Sequence, residues 1–296
     1  MAGQVDRLLI PPRLQSQFGD EPNGRAWLEA LPRLLDRCVE RWQLRVESPY
    51  PDGNASLTLP AARRDGSVIV LKIQFPHLES TYEAKALELW NGDGTVRLLD
   101  HDEELHALLI ERCVPGTHLS EIDPDAALAA MIELLPRLLK PAGSPFRTLA
   151  EEAARWIEHI PIEWHEAGRP FEKSLVDTVV TKLDELAGTQ GEQVLLHQDL
   201  HGDNVLRAGR EPWLVIDPKP LVGEREFAVA PIVRSRELGH SRSAVRGRLA
   251  RLTAELGLDL ERARWWTITQ TLAWAFDGPA VHQSHLDVVR WLLADT

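Results

Sequence analysis

The chain has 296 residues, 44% hydrophobic and 26% charged, which is length enough to bury a large core without disulfide or metal support, in one large domain or two modest lobes. A net charge of -12 and a pI near 5.4 speak against nucleic-acid binding, which needs a basic face, and leave a surface that steers cationic ligands, although acidity also serves solubility alone. Cys38 and Cys113 lie far apart in no Cys-x-x-Cys spacing, no basic-then-apolar leader opens the chain and no apolar run reaches membrane-spanning length, so a cytoplasmic protein without membrane contact is expected.

Residues 24–42 carry apolar side chains at helical spacing (Trp27, Leu31, Leu34, Leu35, Cys38, Val39) and predict an amphipathic helix. Residues 44–72 read as short strands. Pro51-Asp52-Gly53-Asn54 is a turn, and Arg64-Asp65-Gly66-Ser67 is a hairpin signal leading into Val68-Ile69-Val70-Leu71 and Lys72. A helix is expected over 78–91, with Ser80 and Glu83 at capping-box spacing and Gly92 as its stop. Strands follow over 95–99 and 107–111. Cys113-Val114-Pro115-Gly116 then breaks the pattern and marks a lobe boundary, with 1–114 as an N-terminal helix plus β-rich lobe and 115–296 as a helical lobe. Helices are predicted over 124–140, 148–159, 174–187, 243–256, 261–276 and 285–294. One β-like island interrupts them: Val194-Leu195-Leu196, the polar run from His197 to Asn204, and a hairpin of 205–206 with 213–216 that ends at Asp217. The predicted class is α+β in two lobes, a small β-rich front and a larger helical back.

The chemistry is concentrated in that island. His197-x-Asp199-x-x-x-x-Asn204 has the catalytic-loop spacing of kinases. A loop leaving a strand presents Asp199 to take the proton of an attacking hydroxyl. Five residues later Asn204 has turned back so that its amide oxygen can ligate magnesium, and Asp217 at the end of the hairpin reaches the same ion. Taken singly, Asp199 and Asn204 are ordinary turn residues and His197 a buried structural histidine; the joint pattern is what points to phosphotransfer. Lys72 ends an apolar strand, where a kinase places the lysine that holds the α- and β-phosphates, and Glu83 or, failing it, Glu79 would orient it. No Gly-x-x-x-x-Gly-Lys-Ser/Thr loop, zincin spacing or Gly-x-Ser-x-Gly elbow occurs.

The chain resembles the aminoglycoside phosphotransferases, and within them the streptomycin 6-kinase and hydroxyurea-kinase branch. The likeness is strongest over 196–223 (LHQDLHGDNVLRAGREPWLVIDPKPLVG) and extends to 87–102 (LELWNGDGTVRLLDHD) and 108–119 (LLIERCVPGTHL). The resemblance implies a bilobal protein-kinase-like fold binding ATP and Mg²⁺, with ATP under the loop holding Gly53, Asn54 and Ser56 and its adenine against residues 111–114, including Glu111 and Cys113. It implies Asp199 as base, Asn204 and Asp217 as magnesium ligands and Lys72 as phosphate lysine. The acceptor would be a small molecule, an aminocyclitol or similar cationic sugar such as streptomycin, lodged against Asp203, Glu237 and Asp277, with antibiotic resistance as the accompanying role.

Some positions depart from the family pattern. Gln198 stands where glycine is common, Asp203 adds a carboxylate beside Asn204, and Pro-Lys follows Asp217 in place of Phe-Gly. Because the 198–203 loop is expected to face the acceptor, these changes bear on acceptor identity. No Ala-Pro-Glu segment follows, which argues against a protein substrate. Other readings are a kinase of a different metabolite, an amino sugar or a hydroxyurea-like molecule, and a catalytically silent nucleotide-binding protein. Joint retention of Lys72, Asp199, Asn204 and Asp217 argues against the last. Monomer and homodimer both remain open.

Overall fold

The computed structural model describes residues 10–51, 53 and 55–294, and the chain divides between Gly116 and Thr117 into two compact units. The first unit opens with helices α1 (Pro12–Phe18) and α2 (Pro22–Trp42). Each starts on a proline, whose missing N–H falls where a first helical turn has no acceptor. Strands β1 (Arg45–Val46), β2 (Ser56–Ala62), β3 (Val68–Gln74), β4 (Leu98–Asp102) and β5 (Ala107–Glu111) form one antiparallel sheet in the order β1-β2-β3-β5-β4, with helix α3 (Glu83–Trp90) between β3 and β4.

Register sorts the side chains of this sheet onto two faces. Leu57, Leu59 and Ala61 of β2, Ile69, Leu71 and Ile73 of β3 and Ala107 and Leu109 of β5 join Trp27, Leu31, Leu35 and Cys38 of α2 in one buried core. Each such leucine or isoleucine contributes about 1.5–3 kcal/mol by leaving water. The alternate positions, Ser56 and Thr58 opposite Gln74 and Lys72, share the other face. A one-residue slip would exchange the two faces, so the apolar core fixes where Lys72 points. The β2–β3 hairpin turns as Arg64-Asp65-Gly66-Ser67 predicted: Gly66 adopts φ 84°, and Asp65 Oδ1 accepts from the Ser67 N–H and hydroxyl.

Two expectations for this unit need correction. The helix expected over 78–91 begins only at Glu83. Ser80 makes no capping box, because its hydroxyl donates to the carbonyls of Phe75 and His77, while Glu83 is engaged elsewhere. The strand expected over 95–99 is β4, three residues later. Thr95 and Val96 are fully buried in the segment leading to it, where Thr95 makes an isolated β-bridge. Helix α1 was not anticipated.

The second unit is mainly helical: α4 (Pro124–Leu138), α5 (Leu149–Glu166), α6 (Lys173–Gly188), then strands β6 (Gln193–His197), β7 (Val205–Arg207), β8 (Trp213–Val215) and β9 (Pro220–Glu224). After them come α7 (Ala230–Arg234), α8 (Arg242–Leu256), α9 (Leu260–Ala273), the short β10 (Phe276–Asp277) and β11 (Ala280–Val281), and α10 (Gln283–Leu293). Strand β6 pairs with β9 and β7 with β8, both antiparallel. Helix α9 is buried along nearly its whole length and packs against α6, α7, α8 and α10, with Arg264, Thr267, Thr269, Gln270 and Thr271 buried beside its apolar residues. A capping box does form at the start of α5, between Thr148 and Glu151. No helix among the described residues is long and apolar enough to cross a membrane.

Candidate active site

The catalytic-loop candidates are assembled from four short pieces of backbone. Strand β6 is apolar and buried from Val194 to Leu196 and delivers the chain to His197, which faces Pro220 at the start of β9. One residue on, the Gln198 N–H donates to the Lys219 carbonyl (3.1 Å). The buried His197 ring then ties the loop to the hairpin. Its Nδ1 accepts from the Asp199 N–H (3.2 Å), which leaves Nε2–H to donate to the Ile216 carbonyl (3.0 Å). Burial pushes its pKa down, so the neutral imidazole is the bracing form. The Asn204 amide nitrogen donates to the Asp199 carbonyl (2.9 Å), and the Ile216 N–H donates to the Asn204 carbonyl (2.9 Å). These bonds gather Asp199, Asn204 and the entry to Asp217 around one histidine, and the carboxylates of Asp199 and Asp217 both act electrostatically on that ring. Asp217 itself adopts φ 54°, a left-handed conformation that aspartate tolerates better than most residues.

The loop is packed from beneath as well. A Cβ on Gly202 would lie 2.9 Å from the Ser120 backbone nitrogen, so the close approach of the loop to the single-turn helix Leu119–Glu121 requires glycine. The Gly202 N–H donates to Glu237 Oε1 (2.8 Å), and Asp203 accepts from the Ser120 hydroxyl. Glu237 and Asp203, expected at the acceptor, therefore hold the loop in place. Asp203 is exposed and Glu237 half-buried, so each also presents a carboxylate edge. Asp277 is exposed at the end of β10.

Asp199 is strongly perturbed. Burial opposes its ionisation more than any other single influence, yet Lys219, Arg234 and two histidines together hold its pKa far below the usual carboxylate range. Arg234 Nη2 lies 3.0 Å from Oδ1 and Lys219 Nζ 3.2 Å from Oδ2. Both cations also sit over the Trp274 ring, at 4.4 and 4.8 Å from its centroid, an arrangement that favours a held positive charge. Neither Lys219 nor Arg234 stood out in the sequence. Lys219 lies in the Asp-Pro-Lys-Pro run within 196–223, where the family likeness is strongest, a signal that could have been followed; Arg234 carried none.

Gln198, expected to bear on the acceptor, is turned into the helical core. Its side chain is fully buried, its amide reaches Glu152 of α5 (3.3 Å) and its carbonyl accepts from Gln270 of α9 (2.8 Å). Glu152 is itself clamped by Arg147 and Arg155. Gln198 thus anchors the loop to the helical core.

Among the described residues, no three His, Cys, Asp or Glu side chains converge to hold a metal ion by themselves. The cluster offers the Asp217 carboxylate and the Asn204 amide oxygen, the amide nitrogen being used on the Asp199 carbonyl. Such a two-oxygen set fits magnesium, which fills the rest of its shell with phosphate oxygens and water.

In the first unit, Lys72 and Glu83 meet in a buried pair. Lys72 Nζ lies 2.7 and 2.6 Å from the two Glu83 oxygens, Gln74 Nε2 adds a third bond at 2.6 Å, and the paired side chains are 7% and 3% exposed. Glu83, and not Glu79, is the partner, and it opens α3, where a carboxylate also meets the positive end of the helix dipole. Ser56 is not in the loop before β2 but is its first residue, buried and sharing a hydrogen bond with Thr58 (3.0 Å). Gly53 precedes it, half-buried, and Asn54 lies outside the described residues. Glu111 ends β5 and its carboxylate accepts from the Arg97 N–H (3.1 Å); Cys113 is half-buried just beyond.

Known proteins resemble the chain over most of its length. Residues 41–278 match the family model described as aminoglycoside/hydroxyurea antibiotic resistance kinase. The chain is 40% identical over 278 residues to a streptomycin 6-kinase of Streptomyces griseus, covering 90% of each chain. It is 40% identical over 265 residues to a hydroxyurea phosphotransferase of Kitasatospora aureofaciens, covering 87% of this chain and 77% of that one. Among solved structures, choline kinase LicA from Streptococcus pneumoniae superposes with a TM-score of 0.61 at 13% identity, over 89% of this chain and 99% of that one. Aminoglycoside phosphotransferase APH(4)-Ia gives 0.57 at 14% identity, over 89% and 96%. At such identities the two structures speak for the fold alone, a protein-kinase-like α+β fold.

Proposed function

The chain belongs to the aminoglycoside/hydroxyurea antibiotic resistance kinases, and on that footing we propose that it transfers the γ-phosphoryl group of ATP, with Mg²⁺, to a hydroxyl of a small cationic molecule, an aminoglycoside or aminocyclitol such as streptomycin. The observation that carries this reading is the cluster around His197, in which a half-buried, ionised Asp199 is fixed beside the Asn204 amide and acts, with the Asp217 carboxylate, on the same histidine ring.

In this reading the first unit holds the nucleotide and the second the catalytic loop and acceptor. Asp199 orients the attacking hydroxyl and takes its proton. A carboxylate so strongly stabilised in its ionised form is a weak base, so its value lies in placing the hydroxyl and in accepting a proton that leaves late. That suits a loose phosphoryl-transfer transition state, where positioning and charge stabilisation dominate. Asn204 and Asp217 would hold Mg²⁺, which supplies charge neutralisation at the phosphate oxygens when bound. Lys72, oriented by Glu83, holds the phosphates; Gly53, Asn54, Ser56, Glu111 and Cys113 border the nucleotide. Asp203, Glu237 and Asp277 meet the cationic groups of the acceptor, because Asp199 already has two cations of its own.

A second reading, an N-hydroxyl acceptor, is favoured by the hydroxyurea phosphotransferase relative. The test is ADP release from Mg-ATP across a panel of streptomycin, hydroxyurea and neutral and cationic sugars. Streptomycin-dependent release is expected. Nucleotide-induced thermal stabilisation with no ADP from any acceptor would instead indicate a catalytically silent binder and sink the proposal.

A further inference from the structure

Building on the phosphotransfer reading above, we propose that Lys219 is a catalytic residue, whose ammonium rests on Asp199 and contacts the phosphoryl group during transfer, stabilising the charge on its oxygens. The two cations at Asp199 are not equivalent. Arg234 closes helix α7, its side chain is 11% exposed, and its planar fork is fixed between Oδ1 and the Trp274 ring. It is a holder. Lys219 is 27% exposed on Oδ2 and carries a compact ammonium on a flexible four-carbon stem.

The backbone beneath that stem is rigid. Lys219 lies between Pro218 and Pro220, whose rings restrict the chain. Its carbonyl is bonded to the Gln198 N–H, and Pro220 is in register with His197. A fixed anchor with a mobile charge is what a transient contact needs.

Distance supports the assignment. A base takes its proton from a hydroxyl about 3 Å away, and that hydroxyl oxygen attacks phosphorus from roughly 3–3.5 Å. The moving group therefore passes within a few ångströms of the Asp199 oxygens, and an ammonium already 3.2 Å from one of them reaches it by rotating its stem. Lys219 also follows Asp217 by two residues, so one strand entry delivers both the candidate metal ligand and the cation. In the balanced step, the hydroxyl proton passes to Asp199 and the hydroxyl oxygen bonds to the γ-phosphorus. The bond from that phosphorus to the β,γ-bridging oxygen breaks, with its electron pair leaving on the nucleoside diphosphate. Lys219 exchanges no proton; it supplies charge.

The test compares wild type with Lys219→Met, which keeps the stem and loses the charge, and with Lys219→Arg. Turnover of Mg-ATP with streptomycin is read beside two calorimetric affinities, for ADP alone and for ADP with Mg²⁺ and aluminium fluoride, a mimic of the phosphoryl group in flight. Lys219→Met is expected to lower kcat by roughly 10²–10³, the worth of one such charge-stabilising donor. KM values and ADP affinity should stay within about threefold, the fluoride complex should weaken in step with kcat, and Lys219→Arg should recover tenfold or more of both losses.

An unweakened fluoride complex, an ADP affinity that falls equally, or an arginine variant no better than methionine would overturn the proposal. So would the absence of any effect of Lys219→Met on the fluoride complex in an Asp199→Asn background, since Lys219 would then act only through Asp199. If Lys219→Met does not fold, Lys219→Gln takes its place in every comparison. If the wild type phosphorylates no acceptor in the panel, the fluoride complex still reads Lys219, so failure of the acceptor reading is distinguishable from failure of this one.

Discussion

The Lys72–Glu83 pair offers a prediction whose size follows from its surroundings. Glu83→Gln keeps shape and one acceptor oxygen but removes the carboxylate charge from beside the Lys72 ammonium, in a pair whose side chains are 7% and 3% exposed. Removing one partner of a buried pair costs about 3–5 kcal/mol. The ammonium can escape by giving up its proton, and that exit sets a ceiling. From an ordinary lysine value near 10.4, deprotonation costs about 4.6 kcal/mol at pH 7 and about 1.9 at pH 9, at about 1.36 kcal/mol per unit. Urea unfolding should therefore show Glu83→Gln destabilised by about 3–4.5 kcal/mol at pH 7 and by no more than about 2 at pH 9. The double variant Lys72→Met/Glu83→Gln, which removes both charges of the pair, should recover most of that loss at pH 7. A loss below about 1 kcal/mol at pH 7, independent of pH, is the worth of an exposed pair and would refute the reasoning.

Three further outcomes follow from the structure. His285, whose Nδ1 bonds to the Trp274 carbonyl (2.8 Å), has its pKa lowered to about 4 by burial first and by Arg234 second. Its neutral form is thus the stabilised one, and its contribution is complete above about 6.5 and lost as pH falls toward 4. Calorimetry of His285→Asn should show a flatter decline in stability over that window than the wild type. Cys38, buried and with its thiol pushed up to about 12, should resist thiol reagents until unfolding, whereas half-buried Cys113 labels in the native protein; mass spectrometry of the labelled protein reads both. Gly202→Ala should push the loop off Ser120, costing about 1–3 kcal/mol of stability and roughly 10² in kcat/KM, with nucleotide affinity in calorimetry little changed.

What the sequence made legible was local. The His197-Asp199-Asn204 spacing, the apolar strand ending at Lys72 and the hairpin ending at Asp217 each lie within one or two elements, and period-2 and period-3.6 patterns report such elements directly. The remainder depends on contacts between distant segments. Arg234 reaches Asp199 across 35 residues and Glu152 reaches Gln198 across 46, and no spacing rule connects them. Ser80 and Glu83 had the right interval for a helix cap, but the buried ammonium of Lys72 outcompeted the cap for the carboxylate. Strand β9, five residues opening on Pro220, lay hidden because a leading proline looks like a break.

Asp199→Asn also bears on stability: this carboxylate accepts from Arg234 and faces Lys219, so the amide leaves one of the two cations poorly matched, at about 1–3 kcal/mol. A chain of this length can absorb that and remain folded.

The most direct measurement is phosphorus NMR of Mg-ATP and streptomycin incubated with wild type and with Asp199→Asn, at nucleotide concentrations that saturate both by calorimetry. A phosphate-ester resonance on the acceptor should grow with the wild type and roughly 10²–10⁴ times more slowly with the variant. Equal growth with both proteins, or wild-type formation of ADP and inorganic phosphate while the acceptor stays unmodified, would contradict the account.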